Sequence, residues 1–529
     1  MITRNCLNGT RPERGNCGAA VKPDAMLRGL ERARTGGQLE LAARTFAALF
    51  LALLAAGNFY RAATQSITAD EAFTYNHFAG GDEPVRVYDA NHHVLFSWLA
   101  RASVGVFGLS ELTLRLPSVL AGCAYLAGVF HLSRYLFRRV WLFLLAVTSL
   151  SLNPFILDFL SAARGYGLAL ALYLWACDEL AQALGAATLP LKRVYLASAC
   201  LALAVAANLN FAIPGAALAG VFCLLACRQH PPVRARLLWL AGRFLTPGLV
   251  LAVAILAWPL RTATLSSFYV GVDSLRQTLE GLIFYSFCHA RPAAPSWLQN
   301  RLWDVSHWFV PAALALSGVV TLWLLLRRGA GKPERLETFL MMIGGSSLGT
   351  LALLVAARHL AGLKYPVDRT AIYWIPLFSL LCLSLVGILL RAPGIWPAAG
   401  LAPAAFLLVA VVQYGLQFNV RYYAQWRYDA GTKRIAEVIR ACQAAHPKAR
   451  ARVGATWLFE PSLNFYRQRY RMNWLERVTR QGPQGAFDYY VLEGADRKLV
   501  EQLKLEVLYR DPLSEVVLAR PRGVLQSRP

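Results

Sequence analysis

The apolar run Thr45-Phe46-Ala47-Ala48-Leu49-Phe50-Leu51-Ala52-Leu53-Leu54-Ala55-Ala56-Gly57-Asn58-Phe59-Tyr60 leads within a few residues to the polar island Thr68-Ala69-Asp70-Glu71-Ala72-Phe73-Thr74-Tyr75-Asn76-His77. The run reads as a first membrane span, and the arginines before it put its start in the cytoplasm and its end outside. Two adjacent carboxylates just beyond a span need an explanation other than solvation. The island therefore reads as a catalytic loop on the outer face.

The rest of the chain has the same character. Of 529 residues, 56% are hydrophobic and only 16% charged, which places the chain among proteins with many membrane spans. A formal net charge of +24 is what basic loops between spans produce under the positive-inside rule, and it excludes nucleic acid as the expected partner. The ten cysteines form no C-x-x-C pair and read as small core residues. The first 42 residues are basic and too polar for a secretory signal, so they read as a cytoplasmic tail, with Met26 a second candidate start.

Length and charge then give a topology. Val94–Phe107 is short and carries Arg101, so it reads as a helix lying in the interface plane. With that helix in plane, Leu112–Leu132 runs inward and delivers Arg134, Arg138 and Arg139 to the cytoplasm. Further spans are expected near 142–157, 162–180, 195–210, 211–227, 237–260, 308–326, 339–357, 370–390 and 398–414, about eleven in all. A long external segment, about 261–306, contains Pro292 and Pro295 and reads as a functional loop.

From about residue 419 to 529 the pattern turns soluble. Helices are expected at Thr432–Ala445 and Pro461–Tyr470, strands at Arg452–Leu458 and Phe487–Leu492, and a hairpin across Leu505–Tyr509 and Glu515–Ala519. The expected fold is a polytopic α-helical membrane protein, residues 43–418, with its catalytic first external loop at 61–111. A small C-terminal α/β extracytoplasmic domain follows it.

Four polar clusters converge on the outer side. In the first, Asp70 or Glu71 is a candidate base, with Tyr75 and His77 behind; a helix start capped by Thr68 explains the same residues structurally. In the second, Asp89-Ala90-Asn91-His92-His93, the histidines are acceptor or metal candidates or an interfacial anchor. Asp158 and Arg164 form the third, a functional pair or a mutual ion pair. The fourth holds Arg358, His359, Lys364, Asp368 and Arg369, outside against the positive-inside preference, and a phosphate ligand explains those cations.

These residues, with Asn91-His92-His93-Val94-Leu95-Phe96 and above all Phe107-Gly108-Leu109-Ser110-Glu111-Leu112-Thr113-Leu114-Arg115-Leu116-Pro117-Ser118, resemble the GT-C glycosyltransferases of the protein O-mannosyltransferase and lipid A aminoarabinose transferase type. That family carries a similar Phe-Gly-x-Ser-Glu-x-x-x-Arg-x-Pro-Ser string before its second span. Ala163-Arg164-Gly165-Tyr166 is similar to its Ala-Arg-x-Tyr. The resemblance implies a polyprenyl-phosphate sugar donor and inverting transfer on the outer face. It also implies Asp70 or Glu71 as base, with Arg369 and Lys364 on the donor phosphate. His93-Val94 departs from the prolines many relatives carry there.

The sequence thus points to a polyprenyl-phosphate-dependent glycosyltransferase in a cell membrane, with its site on the periplasmic side of a bacterial inner membrane. Its catalytic candidates are Asp70 and Glu71, its phosphate ligands Arg369, Lys364 and Arg164, and its acceptor or metal candidates Asp158, His92, His93 and Tyr75. No ATP site is required, no cofactor is assigned, a divalent metal is left open, and membrane lipids are partners. The acceptor, whether lipid, glycan or protein, is left open. The other reading of so many spans is a transporter or lipid flippase.

Overall fold

The computed structural model describes residues 23–80, 89, 91–229, 232–264, 267, 270–288, 296–327 and 333–522, without the side chains of 23–36 and 296. The basic side chains of the N-terminal tail, Pro292, Pro295, Arg328 and Lys332 lie outside the described residues.

Residues 1–46 and 47–529 form two units. In the first, helix α1 (Pro23–Thr64) begins, and Arg44 pairs with Glu40 one turn earlier. In the second, the order is α2 (Ala69–Thr74), α3 (Val94–Phe107), α4 (Glu111–Leu136), α5 (Val140–Ser151), α6 (Pro154–Phe159), α7 (Gly165–Leu184), α8 (Leu191–Ala207) and α9 (Ala212–Gln229). There follow α10 (Val233–Leu240), α11 (Thr246–Leu260), α12 (Leu275–Phe287), α13 (Ser296–Leu326), α14 (Arg335–Ala361), α15 (Trp374–Leu389) and α16 (Trp396–Gln417).

Each of the eleven expected spans overlaps helical structure, but 142–157 is broken at Leu152-Asn153 into α5 and α6, because Asn153 caps a new helix opened by Pro154. Among the described residues seven helices are long and apolar enough to cross a membrane: Gly37–Thr64, Glu111–Leu136, Leu209–Gln229, Val233–Leu260, Trp297–Leu326, Arg335–Ala361 and Trp396–Gln417. The shorter apolar helices α5 and α15 sit deep in the bundle. Leu142, Ala146, Leu150, Leu380, Cys382 and Leu385 are buried against other helices, so protein covers what a longer span would show to lipid. α3 is amphipathic in another sense: Phe96, Ser97 and Ala100 face inward, while Trp98, Leu99, Val106 and Phe107 are exposed.

The segment expected to be an external loop, about 261–306, differs from a plain loop, because α12 occupies its middle. Ser274 and Gln277 form a reciprocal capping box there, and the Ser-x-x-Gln spacing was visible in the sequence.

Beyond α16 come α17 (Thr432–Ala445), β1 (Val453–Ala455), α18 (Glu460–Arg469), β2 (Tyr489–Leu492), α19 (Leu499–Gln502), β3 (Leu505–Arg510) and β4 (Val517–Pro521). The sheet order is β1-β2-β4-β3. β1 pairs parallel to β2 at Val453 with Tyr489; β4 lies antiparallel to both β2 and β3. Ile435, Ile439, Phe459, Leu463, Val491 and Leu518 form its own core. A separate cluster of Ile67, Ala72, Tyr75, Phe96, Leu114, Ala436, Phe465 and Tyr466 welds this domain to the α2 loop.

Candidate active site

Asp70 and Glu71 are neighbours with different surroundings. Thr68 caps α2, with its hydroxyl accepting the Glu71 N–H and the Glu71 carboxylate accepting the Thr68 N–H. Glu71 is fully buried and meets the Arg115 guanidinium side on, Nε to Oε1 at 2.7 Å and Nη2 to Oε2 at 2.6 Å. The Ala163 N–H adds a fourth donor at 2.5 Å. Arg115 spends its remaining N–H groups on the carbonyls of Ala62, Gln65 and Ser66. This closed set fixes the chain's exit from α1 and leaves Glu71 no lone pair facing a substrate.

Asp70 is one position earlier, so its side chain turns about 100° away from Glu71. It is partly exposed and lies between two guanidiniums, Arg369 at 2.9 Å and Arg164 at 4.0 Å. Burial raises the Asp70 carboxyl, but Arg369 and then Arg164 outweigh it and hold it below its ordinary value.

Arg164 is buried at the N-cap of α7 and donates to the Asp70 carbonyl, the Thr74 hydroxyl at 2.8 Å and the Asn91 side-chain oxygen at 3.1 Å. Gly165 follows because nothing larger fits: a Cβ there would stand 2.1 Å from the Ala207 carbonyl oxygen and 2.8 Å from His93 Cβ. Arg369 follows Asp368, whose φ of +49° is a left-handed conformation that aspartate adopts at some cost. Burial depresses Arg369, but Asp70 and Tyr166 more than restore it, so its guanidinium is raised overall. Its face lies over the Trp426 ring at 5.7 Å.

The remaining predicted residues fall around this centre or away from it. His93 is buried, with its ring edge to face with Tyr166 at 4.9 Å. Burial, and then Arg164 and Arg369, hold its imidazole well below its usual value, so it is neutral. His92 stacks on Phe78 at 4.1 Å. Tyr75 is buried edge-on against Phe465 at 5.6 Å. Asp158 is buried in a pair with Arg61 and accepts the Ala424 N–H at 2.8 Å, so its partner is Arg61 rather than Arg164. Lys364 is exposed on the segment leading to Arg369. Among the described residues no group of three or more His, Cys, Asp or Glu side chains is arranged to hold a metal ion.

Residues the sequence did not single out complete the site. Trp426, Tyr428 and Asp429 come from the turn before α17, and Arg61 from the end of α1. Arg61 had a local signal, an arginine closing an apolar run on the predicted outer side. The others had none.

An apolar cavity of about 1240 Å³ opens among α12, α13, α14, α15 and α16. Leu279, Ile283, Phe287, Leu314, Phe378 and Phe406 line it, with Arg276, Glu280 and His307 among its few charged or polar side chains. Thr278, also in its wall, donates to the Pro366 carbonyl at 2.7 Å, three residues before Arg369.

No family model matches the chain, and no curated protein does. Among solved structures the chain is similar to ArnT from Cupriavidus metallidurans bound to undecaprenyl phosphate, at 16% identity and a TM-score of 0.44, over 92% of this chain and 99% of that one. It is likewise similar to the same organism's ArnT in the apo state, at 15% identity and a TM-score of 0.43, over 90% and 98% of the two chains.

Proposed function

We propose that the protein is an inverting glycosyltransferase that moves a sugar from a polyprenyl-phosphate carrier to an acceptor on the outer face of the membrane. The observation that carries this reading is the charge at Asp70. Two guanidiniums face one carboxylate, leaving one positive charge for a ligand, and a sugar phosphodiester brings one negative charge. The large apolar cavity beside the Arg369 segment suits a long hydrocarbon chain attached to that phosphate.

In the proposed step the donor phosphate takes the Arg369 guanidinium from Asp70. Freed of that cation, the Asp70 carboxylate becomes more basic at the moment the substrate arrives. It takes the proton from the acceptor's hydroxyl or amine, whose lone pair forms the new bond to the anomeric carbon. The bond from that carbon to the phosphate oxygen breaks, and its electron pair leaves with polyprenyl phosphate, stabilised by Arg369 and Arg164. One displacement at one carbon inverts it. Glu71 acts in this scheme as the anchor of the loop, and no step needs a metal.

The test is release of polyprenyl phosphate from a panel of polyprenyl-phosphate sugars, with membrane extract as the source of acceptors. Wild type should release it from at least one donor, and Asp70→Asn should not, while binding polyprenyl phosphate at least as well. Release that survives Asp70→Asn would remove Asp70 as base; no release from any donor would favour transport of a lipid instead.

A further inference from the structure

The loop that carries Asp70 is held from the C-terminal domain. Asp429 accepts the Ala69 N–H at 2.6 Å through Oδ2, one residue from Asp70. Its Oδ1 accepts the Ser462 hydroxyl at 2.8 Å and the Thr432 hydroxyl at 2.9 Å, so the carboxylate is gripped by α17 and α18 while it grips the loop. Two further contacts join the same parts. The Tyr466 hydroxyl accepts the Ile67 N–H at 2.9 Å, and Ser66 Oγ accepts the Lys433 N–H at 3.0 Å.

We infer that Asp429 is a positioning residue for the reaction: it sets the orientation of Asp70 through the Ala69 amide, which makes the C-terminal domain part of the catalytic apparatus. A buried carboxyl is an expensive way to fill space. Burial pushes Asp429 up to about 7 against the three bonds that lower it, so the fold retains a group it is costly to bury. What the carboxyl uniquely supplies is two oxygens that accept from a backbone amide on one side and two hydroxyls on the other. Position matters here because the base must meet an acceptor proton within hydrogen-bond distance, and a small misplacement is amplified in rate.

The inference rests on Asp70 as base, and the experiment separates the two. Purified full-length wild type, Asp429→Ala and Asp429→Asn are compared by hydrogen exchange of the 66–72 backbone and by turnover of a polyprenyl-phosphate sugar. Loss of the Ala69 bond in the alanine variant should speed exchange across 66–72, and lower kcat, by about tenfold or more, with the donor KM within about twofold of wild type. Asparagine keeps an oxygen for the Ala69 N–H and should recover most of both. Unchanged exchange across 66–72 in Asp429→Ala overturns the inference, as does a loss confined to KM. Should the alanine variant not fold, Ser462→Ala, which removes one hydroxyl from the same carboxylate, is read by the same criteria. Faster exchange in a protein whose wild type turns over no donor would leave the tether standing and sink the glycosyltransferase reading.

Discussion

Asp70 and Glu71 share a peptide bond and divide two tasks. Glu71 has both oxygens committed inside a buried, fork-shaped pair with Arg115, whereas Asp70 faces two cations and partial solvent. Removing one member of a buried pair strands the other, at a cost of about 3–5 kcal/mol. Glu71→Gln should therefore lower the thermal unfolding midpoint in detergent markedly, while Asp70→Asn should hardly move it; equal effects would undo the division. A second consequence concerns pH. Arg369 is the strongest influence holding Asp70 below its ordinary value, so Asp70 stays ionised into unusually acidic solution. Replacing Arg369 by glutamine removes that cation and raises the Asp70 value. The acidic limb of kcat/KM against pH should then move to higher pH, apart from any loss of overall rate. A limb that stays in place would mean another group titrates.

At the scale of elements, the apolar helices were legible because hydropathy is a local property, and the expected spans fall on helical structure, although 142–157 divides at Asn153 into two helices. The helices of the C-terminal domain were legible for the same reason, from the spacing of Ile435, Val438, Ile439 and Cys442. What escaped the sequence were pairings. Ala69 and Asp429 are 360 positions apart, and no periodicity marks Asp429, so nothing local announces its partner. The helix α12 escaped for a different reason: its apolar side chains are mixed with Arg276, Gln277 and Glu280, which made a helix read as loop despite its capping box. That helix supplies one wall of the apolar cavity, so its role can be tested there. Leu314→Trp from the facing α13 should fill space that the polyprenyl chain needs. Losing burial of two or three methylenes should raise the KM for a long-chain donor by about tenfold or more. A short-chain analogue of the same sugar should be unaffected, and equal losses for both would detach the cavity from the donor.

For the whole molecule, the proposal requires Asp70, Arg164, Arg369 and the C-terminal domain to share one side of the membrane. Their direct contacts already demand it of the first three, and the bonds from Asp429 and Tyr466 to the 66–70 loop demand it of the fourth. Orientation then turns on α3. Its fourteen residues cannot cross a hydrocarbon core of about 30 Å, since a helix rises about 1.5 Å per residue. Its exposed Trp98, Leu99, Val106 and Phe107 suit a helix lying along the interface. With α3 in plane, α4 returns inward and carries Arg138 and Arg139 to the cytoplasmic side, where the positive-inside preference puts them. Were α3 to cross, those arginines would face out and every later loop would reverse. Arg138→Cys in a chain whose ten native cysteines are replaced distinguishes the two arrangements. In intact cells that cysteine should resist a membrane-impermeant maleimide and react once the membrane is opened. Ready labelling of intact cells would reverse the chain after α3 and put Arg369 on the side opposite to the one proposed.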